Sequence, residues 1–484
     1  MMNDATHVPC PLRSAARRLP DAPAIVGAGG SMAYGELDRR VSVAAARVRE
    51  LGFGAGDRVA LYLPKDERYL VLLLALIRVG CAACLLSTRL PPQGAAPLLE
   101  RTACRALIST SEELLEAAGV QMLRPEDLLS DGTAARDGLQ TSEQLWLALD
   151  QPSTVVFTSG SSGVPKAALH TFGNQFFSAR GSNTNIALAP GDRWLHSLPL
   201  YHVGGLSIVF RCLLAGAAVV LPEPGASLGE AIGEATHVSL VSTQLLRLLR
   251  EGSLEAGRLK AILLGGGPVP VSLVDEAASR AFPLHTSYGL TEMASQVTAT
   301  PPGASHEELR TSGRPLPHRE VGISGDGEIL VRGETLFAGY VEGDAVDRPL
   351  DADGWFHTGD LGGLSENGCL RVLGRKDNLF VSGGENIQPE EIEEALSSLE
   401  GVEEAVVVPI LDPEFGARPV AFVRMADGIV EPDALAQALE KVLPRFKIPG
   451  TFHGWPEEAG FGGMKVDRSF FRERASRSRR EGRG

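Results

Sequence analysis

Between Leu37 and Ile262, apolar segments of strand and helix character alternate, with glycine and proline at the joins. That alternation predicts α/β layers with largely buried sheets. Farther on, Glu328-Ile329-Leu330-Val331-Arg332 alternates with the two-residue period of a strand and predicts a smaller β region. A helix is expected behind Pro389. Proline suits a first turn, Glu390 and Glu391 suit the positive end of the dipole, Ile392, Leu396 and Leu399 fall on one face, and Gly401 stops it. The polar stretch from Pro125 to Glu143 predicts a surface loop, and no internal repeat or heptad is present.

With 484 residues the chain is too long for one core, so a large N-terminal region and a smaller C-terminal domain are expected. The 60 acidic against 46 basic residues, a net charge of −14, argue against a nucleic-acid partner. The Arg-rich tail from Arg472 to Gly484 reads as a frayed, solvated terminus. The start is polar, without a signal-peptide pattern, and the strongest apolar run, Tyr69 to Ile77, is too short to span a bilayer. A cytoplasmic protein without membrane insertion is expected; homo-oligomerisation stays open. Six cysteines show no secreted framework, and the formal CxxC of Cys81 and Cys84 follows an apolar helix and reads as buried structure.

The chemistry concentrates first at residues 154–166, where an apolar strand runs into a hydroxyl-rich glycine loop. Gly160 and Gly163 let the backbone turn tightly around an anion, Thr158, Ser159, Ser161 and Ser162 add donors, and Lys166 adds charge. Pro165 before the lysine and Ala167 after it exclude a Walker A loop, which needs a hydroxyl there for magnesium. Alone, the segment fits a Ser/Gly surface turn equally well.

Its companions decide the matter. The loop resembles the signature of the acyl-adenylate-forming enzymes, which include acyl-CoA ligases, luciferases and peptide-synthetase adenylation domains, and further motifs follow in that family's order. Gly265, Gly266 and Gly267 form a turn after a buried strand, letting backbone approach a flat base. Ser287-Tyr288-Gly289-Leu290-Thr291-Glu292 resembles the central motif, in which the tyrosine packs on adenine, the threonine bonds the α-phosphate and the glutamate holds magnesium. By the same resemblance Asp360 accepts from both ribose hydroxyls, Arg375 also contacts ribose, and Asp377 is the hinge between domains 1–376 and 377–484. Gly383 and Gly384 match a hairpin that swings to the site for thioester formation, and Lys465 matches the adenylation lysine, although Gly463-Met464 replace the commoner Thr-Gly before it. The resemblance thus implies a mobile α+β C-terminal domain, ATP and Mg2+ as cofactors, and coenzyme A as co-substrate.

A narrower likeness concerns the acid. Segments around His170, from Trp194 to Val203, from Thr236 to Leu245 and around Gln388 look like the o-succinylbenzoate:CoA ligases of menaquinone biosynthesis, as does the Gly-Gly-apolar-Lys form at Lys465. A small dicarboxylic acid would need a cation for the carboxylate that is not activated. Arg211, in an otherwise apolar run, is the candidate, with a snorkelling or structurally paired arginine as the alternative. Ser295 and Gln296 are weaker candidates to face the acid. His202 joins Thr291, Glu292 and Lys465 as a catalytic candidate, against a structural histidine. Rival readings are a ligase for another aryl or medium-chain acid, a non-catalytic nucleotide or acyl-adenylate sensor, and a carrier-loading adenylation domain.

Overall fold

The computed structural model describes residues 6–111, 114, 119–130, 144–158, 165–255, 257–413, 415–459 and 467–481. Among these, two large sheets organise the N-terminal region. The first has eight strands. Gln121–Leu123, Ala106–Ser109, Arg58–Tyr62, Ala82–Leu85 and Pro152–Thr158 run parallel, and Lys166–Thr171, Gly339–Glu342 and Ala345–Asp347 complete it antiparallel. The second has nine, with Pro23–Gly27, Ala218–Val220, Arg193–Leu195, His237–Leu240, Ala261–Leu264 and Leu284–Leu290 as its parallel centre. Every residue of Ala82–Leu85, Ala106–Ser109, His237–Leu240 and Ala261–Leu264 is buried, as expected for parallel strands covered on both faces.

Helices Tyr34–Glu50, Glu67–Val79, Phe172–Asn185 and Val203–Ala215 join Val59 and Leu61 of the first sheet to Ile25 and Val219 of the second in one apolar core. Glu67–Val79 carries the strong apolar run. Asp66 caps it by accepting from the amides of Arg68 and Tyr69, and Gly80 ends it at φ 88°. No described helix is long and apolar enough to cross a membrane. Cys81 donates to the Gly54 carbonyl at 3.1 Å and Cys84 is fully buried, so the CxxC is structural.

The small β region is a four-stranded antiparallel sheet of Glu320–Ile323, Glu328–Arg332, Phe356–Leu364 and Leu370–Arg375. A single helical turn, Lys376–Asn378, leads from it to the hairpin Phe380–Ser382 and Glu385–Ile387. Beyond lies a smaller α+β unit with its own core, in which Ile387, Ile392 and Leu396 meet Val407, Val423 and Leu439. The expected helix spans Pro389–Ser397; it ends before Gly401, which serves at φ 82° in the turn to strand Val402–Asp412.

Two expectations are corrected. The polar stretch from Pro125 is not all loop: Pro125–Leu129 is a short helix with proline at its start, acids in its first turn, and Leu128 fully buried in the main core. Residues 131–143 lie outside the described residues. Nor does the tail fray from Arg472. Helix Arg468–Glu481 is held because Phe471 and Ala475, four residues apart, bury one face against Val406, Val408 and Phe422.

Candidate active site

Parallel strands Ala261–Leu264 and Leu284–Leu290 end side by side, and beyond their carboxyl ends an open α/β sheet places ligands. Ser287 Oγ donates to the Leu264 carbonyl at 2.8 Å, and a Cβ on Gly265 would stand 2.7 Å from that hydroxyl, so a larger residue where the two strands meet would displace it. Gly266 (φ 86°) and Gly267 follow on the surface. A side chain on Gly289 would run into the Ser295 carbonyl on the neighbouring antiparallel strand.

Thr291–Met293 form a single turn between these strands. His170 Nε2 lies 2.7 Å from the Thr291 carbonyl. Burial holds this imidazole down to about 4, so it is neutral at pH 7, and facing a carbonyl the nitrogen must be the donor. The Phe337 amide donates to the Glu292 carbonyl at 2.7 Å, and the Tyr340 hydroxyl donates to Glu292 Oε1 at 2.6 Å. Lys166 Nζ stands 4.8 Å from the centre of the Tyr340 ring. Thus the lysine of the glycine loop and the candidate metal carboxylate meet across one tyrosine. Lys166 pairs with Thr158 as the first rung of an antiparallel hairpin, so a strand follows this loop where a Walker A loop leads into a helix. Ser159, Gly160, Ser161, Ser162 and Gly163 lie outside the described residues.

Tyr340 gives no signal in the sequence, since a tyrosine in a short strand carries no motif of its own. Its hydroxyl orients one Glu292 oxygen and leaves the other for a cation. Tyr340→Phe is therefore expected to raise half-saturating magnesium roughly tenfold with little change in rate at saturation. Magnesium titration of pyrophosphate release checks this, and an unchanged midpoint would remove Tyr340 from the site.

Asp360 is gripped from two sides. Tyr288, nearly buried, donates to Oδ2 at 2.6 Å and Arg375 Nη1 donates to Oδ1 at 3.0 Å. Each carboxylate oxygen keeps a lone pair, so two further hydroxyl donors can be accepted. Burial works against the Arg375 charge, but Asp360 and Asp377 together hold its pKa above the ordinary value. Tyr288 is pushed well above its ordinary value by burial and then by Asp360, and stays a neutral donor. Arg375 Nη2 reaches Asp377 at 3.3 Å.

The acid candidates converge as well. Arg211, 1% exposed, projects from helix Val203–Ala215; its Nη2 donates to Gln296 Oε1 at 2.8 Å and Ser295 Oγ at 3.3 Å. Its guanidinium carbon stands 5.1 Å from the Trp194 ring centre, and its buried Nε has no partner. Among the described residues no carboxylate meets it. Burial alone pulls it down to about 10, so it remains charged at pH 7. Neither alternative for Arg211 holds: it does not snorkel and has no structural acid among the described residues. Ser295 sits at φ 127°, a strained backbone for a non-glycine residue, directly after Ala294 at φ 54°. His202 is half-buried at the start of the Arg211 helix, its ring 4.7 Å from Tyr201, and its backbone carbonyl accepts from Leu206.

Gly383 (φ 60°) and Gly384 (φ 90°) form a two-residue hairpin turn in the C-terminal unit, where the Gly383 amide donates to the Phe415 carbonyl at 2.9 Å. Lys465 lies in 460–466, outside the described residues.

Residues 12–341 match the AMP-binding enzyme family, and residues 391–457 match the AMP-binding enzyme C-terminal domain. The chain belongs to the AMP-binding enzyme family. It is 33% identical to the 2-succinylbenzoate–CoA ligase of Bacillus licheniformis, covering 91% of this chain and 95% of that one. It is 36% identical to the enzyme of the same name from Salmonella typhimurium, covering 90% and 91%. Among solved structures, it matches o-succinylbenzoate CoA synthetase (MenE) from Bacillus subtilis in complex with the acyl-adenylate intermediate OSB-AMP, at 32% identity, TM-score 0.83 and 93% and 95% coverage. The same enzyme in complex with ATP and magnesium ion matches at TM-score 0.83.

Proposed function

We propose that this chain is an ATP-dependent acid:CoA ligase that activates o-succinylbenzoate as its acyl-adenylate and forms o-succinylbenzoyl-CoA, AMP and pyrophosphate, in menaquinone biosynthesis. The observation that carries the substrate is Arg211, a buried guanidinium whose hydrogen-bond partners are all neutral. A buried charge without a counter-ion is costly, and a substrate carboxylate supplies the missing partner. The activities named for the relatives at 33% and 36% identity support the same acid.

The residues divide the work. Asp360, steadied by Tyr288 and Arg375, accepts the ribose hydroxyls, and the edge of Gly265, Gly266 and Gly267 admits the base. Thr158, Lys166 and the glycine loop between them hold the phosphates. Thr291 donates to the α-phosphate. Glu292, oriented by Tyr340, is a hard carboxylate with one oxygen left open that would hold a magnesium ion, and the ion would supply charge to offset that on the departing pyrophosphate. Arg211, with Ser295 and Gln296, seats the carboxylate that is not activated, and His202 borders the same acyl site. Lys465 bridges the attacking carboxylate and the α-phosphate; the C-terminal domain, residues 377–484, then turns about Asp377 and brings Gly383 and Gly384 to the site for attack by the CoA thiol. The reaction draws on ATP and CoA and runs in the cytoplasm.

The test is mass-spectrometric detection of CoA thioesters after incubation with ATP, magnesium, CoA and a panel of o-succinylbenzoate, benzoates and fatty acids. A dominant o-succinylbenzoyl-CoA product is expected. Preference for another acid would overturn the substrate, and neither thioester nor pyrophosphate from any acid would favour the sensor.

A further inference from the structure

Behind Arg211 lies a second buried guanidinium. Arg319, 6% exposed, precedes the outer strand of the small sheet, in a stretch whose sequence, Pro317-His318-Arg319-Glu320, reads as a solvated turn. It faces inward. Its Nε donates to the Gln296 carbonyl at 2.6 Å, Nη1 to the Pro317 carbonyl at 2.8 Å, and Nη2 to the carbonyl and hydroxyl of Ser178 at 3.1 and 3.2 Å. All of its nitrogens therefore bond neutral oxygens. The fit is close, since a Cβ on Gly181 would collide with the guanidinium and the Pro317 carbonyl. Glu334, the acid that acts on it, is more than half exposed and pairs at 3.5 Å with His318.

The two arginines hold one residue between them. Arg211 grips the Gln296 side chain and Arg319 grips its carbonyl, while Ser182 Oγ donates to the same Oε1 at 2.7 Å. The Gln296 side-chain nitrogen is buried without a partner. Burial first, and then the neighbouring Arg211 charge, pull Arg319 down to about 9.

We propose that Arg319 is a specificity-determining residue for the acid: it fixes Gln296 from behind and adds a second buried positive charge that favours a substrate carrying an extra carboxylate. This rests on the reading of Arg211 as the seat of that carboxylate. Two buried cations whose hydrogen-bond partners are all neutral favour a dianion over a monoanion beyond what one hydrogen-bonded arginine does.

Arg319→Met removes the charge while keeping much of the volume, and Arg319→Lys keeps the charge but loses the fork. Each is assayed in the full-length enzyme with o-succinylbenzoate and with the two analogues that each lack one of its carboxylates, read as KM or as inhibition constants. Arg319→Met is expected to raise KM for the dicarboxylate about tenfold with kcat little changed, to weaken the analogue that keeps the carboxylate seated by Arg211 similarly, and to leave the analogue that lacks it within about twofold. Arg319→Lys should recover most of that loss. Equal weakening of all three acids would make Arg319 a structural prop and overturn the proposal, as would a lysine variant as impaired as the methionine variant. If Arg211→Ala fails to discriminate among the acids, the reading of Arg211 falls; if it discriminates and Arg319→Met does not, only the role of Arg319 falls.

Discussion

Arg211→Ala should cost on the order of 10²-fold in kcat/KM with o-succinylbenzoate and little with a monocarboxylic aryl acid, because an unpaired buried carboxylate costs about 2 to 5 kcal/mol. The asymmetry follows from the partners of the guanidinium. Gln296 and Ser295 offer it neutral oxygens only, so the protein alone leaves the charge uncompensated, and the extra carboxylate completes the pair. A monocarboxylic acid brings no such group and loses nothing when the cation goes. The variant should also keep its fold, since no native ion pair is broken; the remaining costs are the hydrogen bonds to Gln296 and Ser295 and the packing against Trp194. Steady-state kinetics with both acids, beside a thermal melt, checks this. Equal losses with the two acids would remove Arg211 from the acyl site.

Sequence patterns carry Arg211 and its neighbours unevenly. Tyr288, Glu292, Asp360 and Arg375 lie in four separate elements, yet each stands in a dense local motif, so the motifs alone make their convergence readable. Arg211 is readable for another reason: a lone charge in a helical apolar run violates the pattern around it, and such violations mark function. Arg319 violates nothing locally. A charged residue between Pro317 and Glu320 looks like a surface turn, and only the packing of helix Phe172–Asn185 against it, through Ser178 and Gly181, makes it buried. Tyr340 is similar, for its importance arises from an antiparallel strand added beside Lys166–Thr171, a pairing with no short-range signal. In the tail, the many arginines mask Phe471 and Ala475, whose spacing of four is the cue that a helix face is buried there.

Lys465→Ala is expected to slow acyl-adenylate formation by at least roughly 10²-fold, the scale for losing one transition-state charge partner, and to spare thioester formation from supplied acyl-adenylate. The separation of the two half-reactions follows from where the lysine is carried. Arg468, close after it in sequence, donates to Glu393 at 2.6 Å and to Glu390 at 3.1 Å. Glu390 also accepts from Asn378 at 2.6 Å and from Gln388, and Gln388 Nε2 donates to the Arg375 carbonyl at 3.0 Å. The segment that follows Lys465 is thereby tied, through Glu390 and Gln388, to Asn378 and to the Arg375 carbonyl, on either side of Asp377. On the proposed hinge at Asp377, the orientation that would present Lys465 to the α-phosphate is expected to differ from the one that would present Gly383 and Gly384 to the thiol. A flexible ammonium delivered in only one orientation stabilises one transition state and not the other. Pyrophosphate release and thioester formation from synthetic acyl-adenylate, measured separately on the variant, distinguish the cases: equal loss in both half-reactions would withdraw the adenylation role from Lys465, whereas loss confined to the first locates it there.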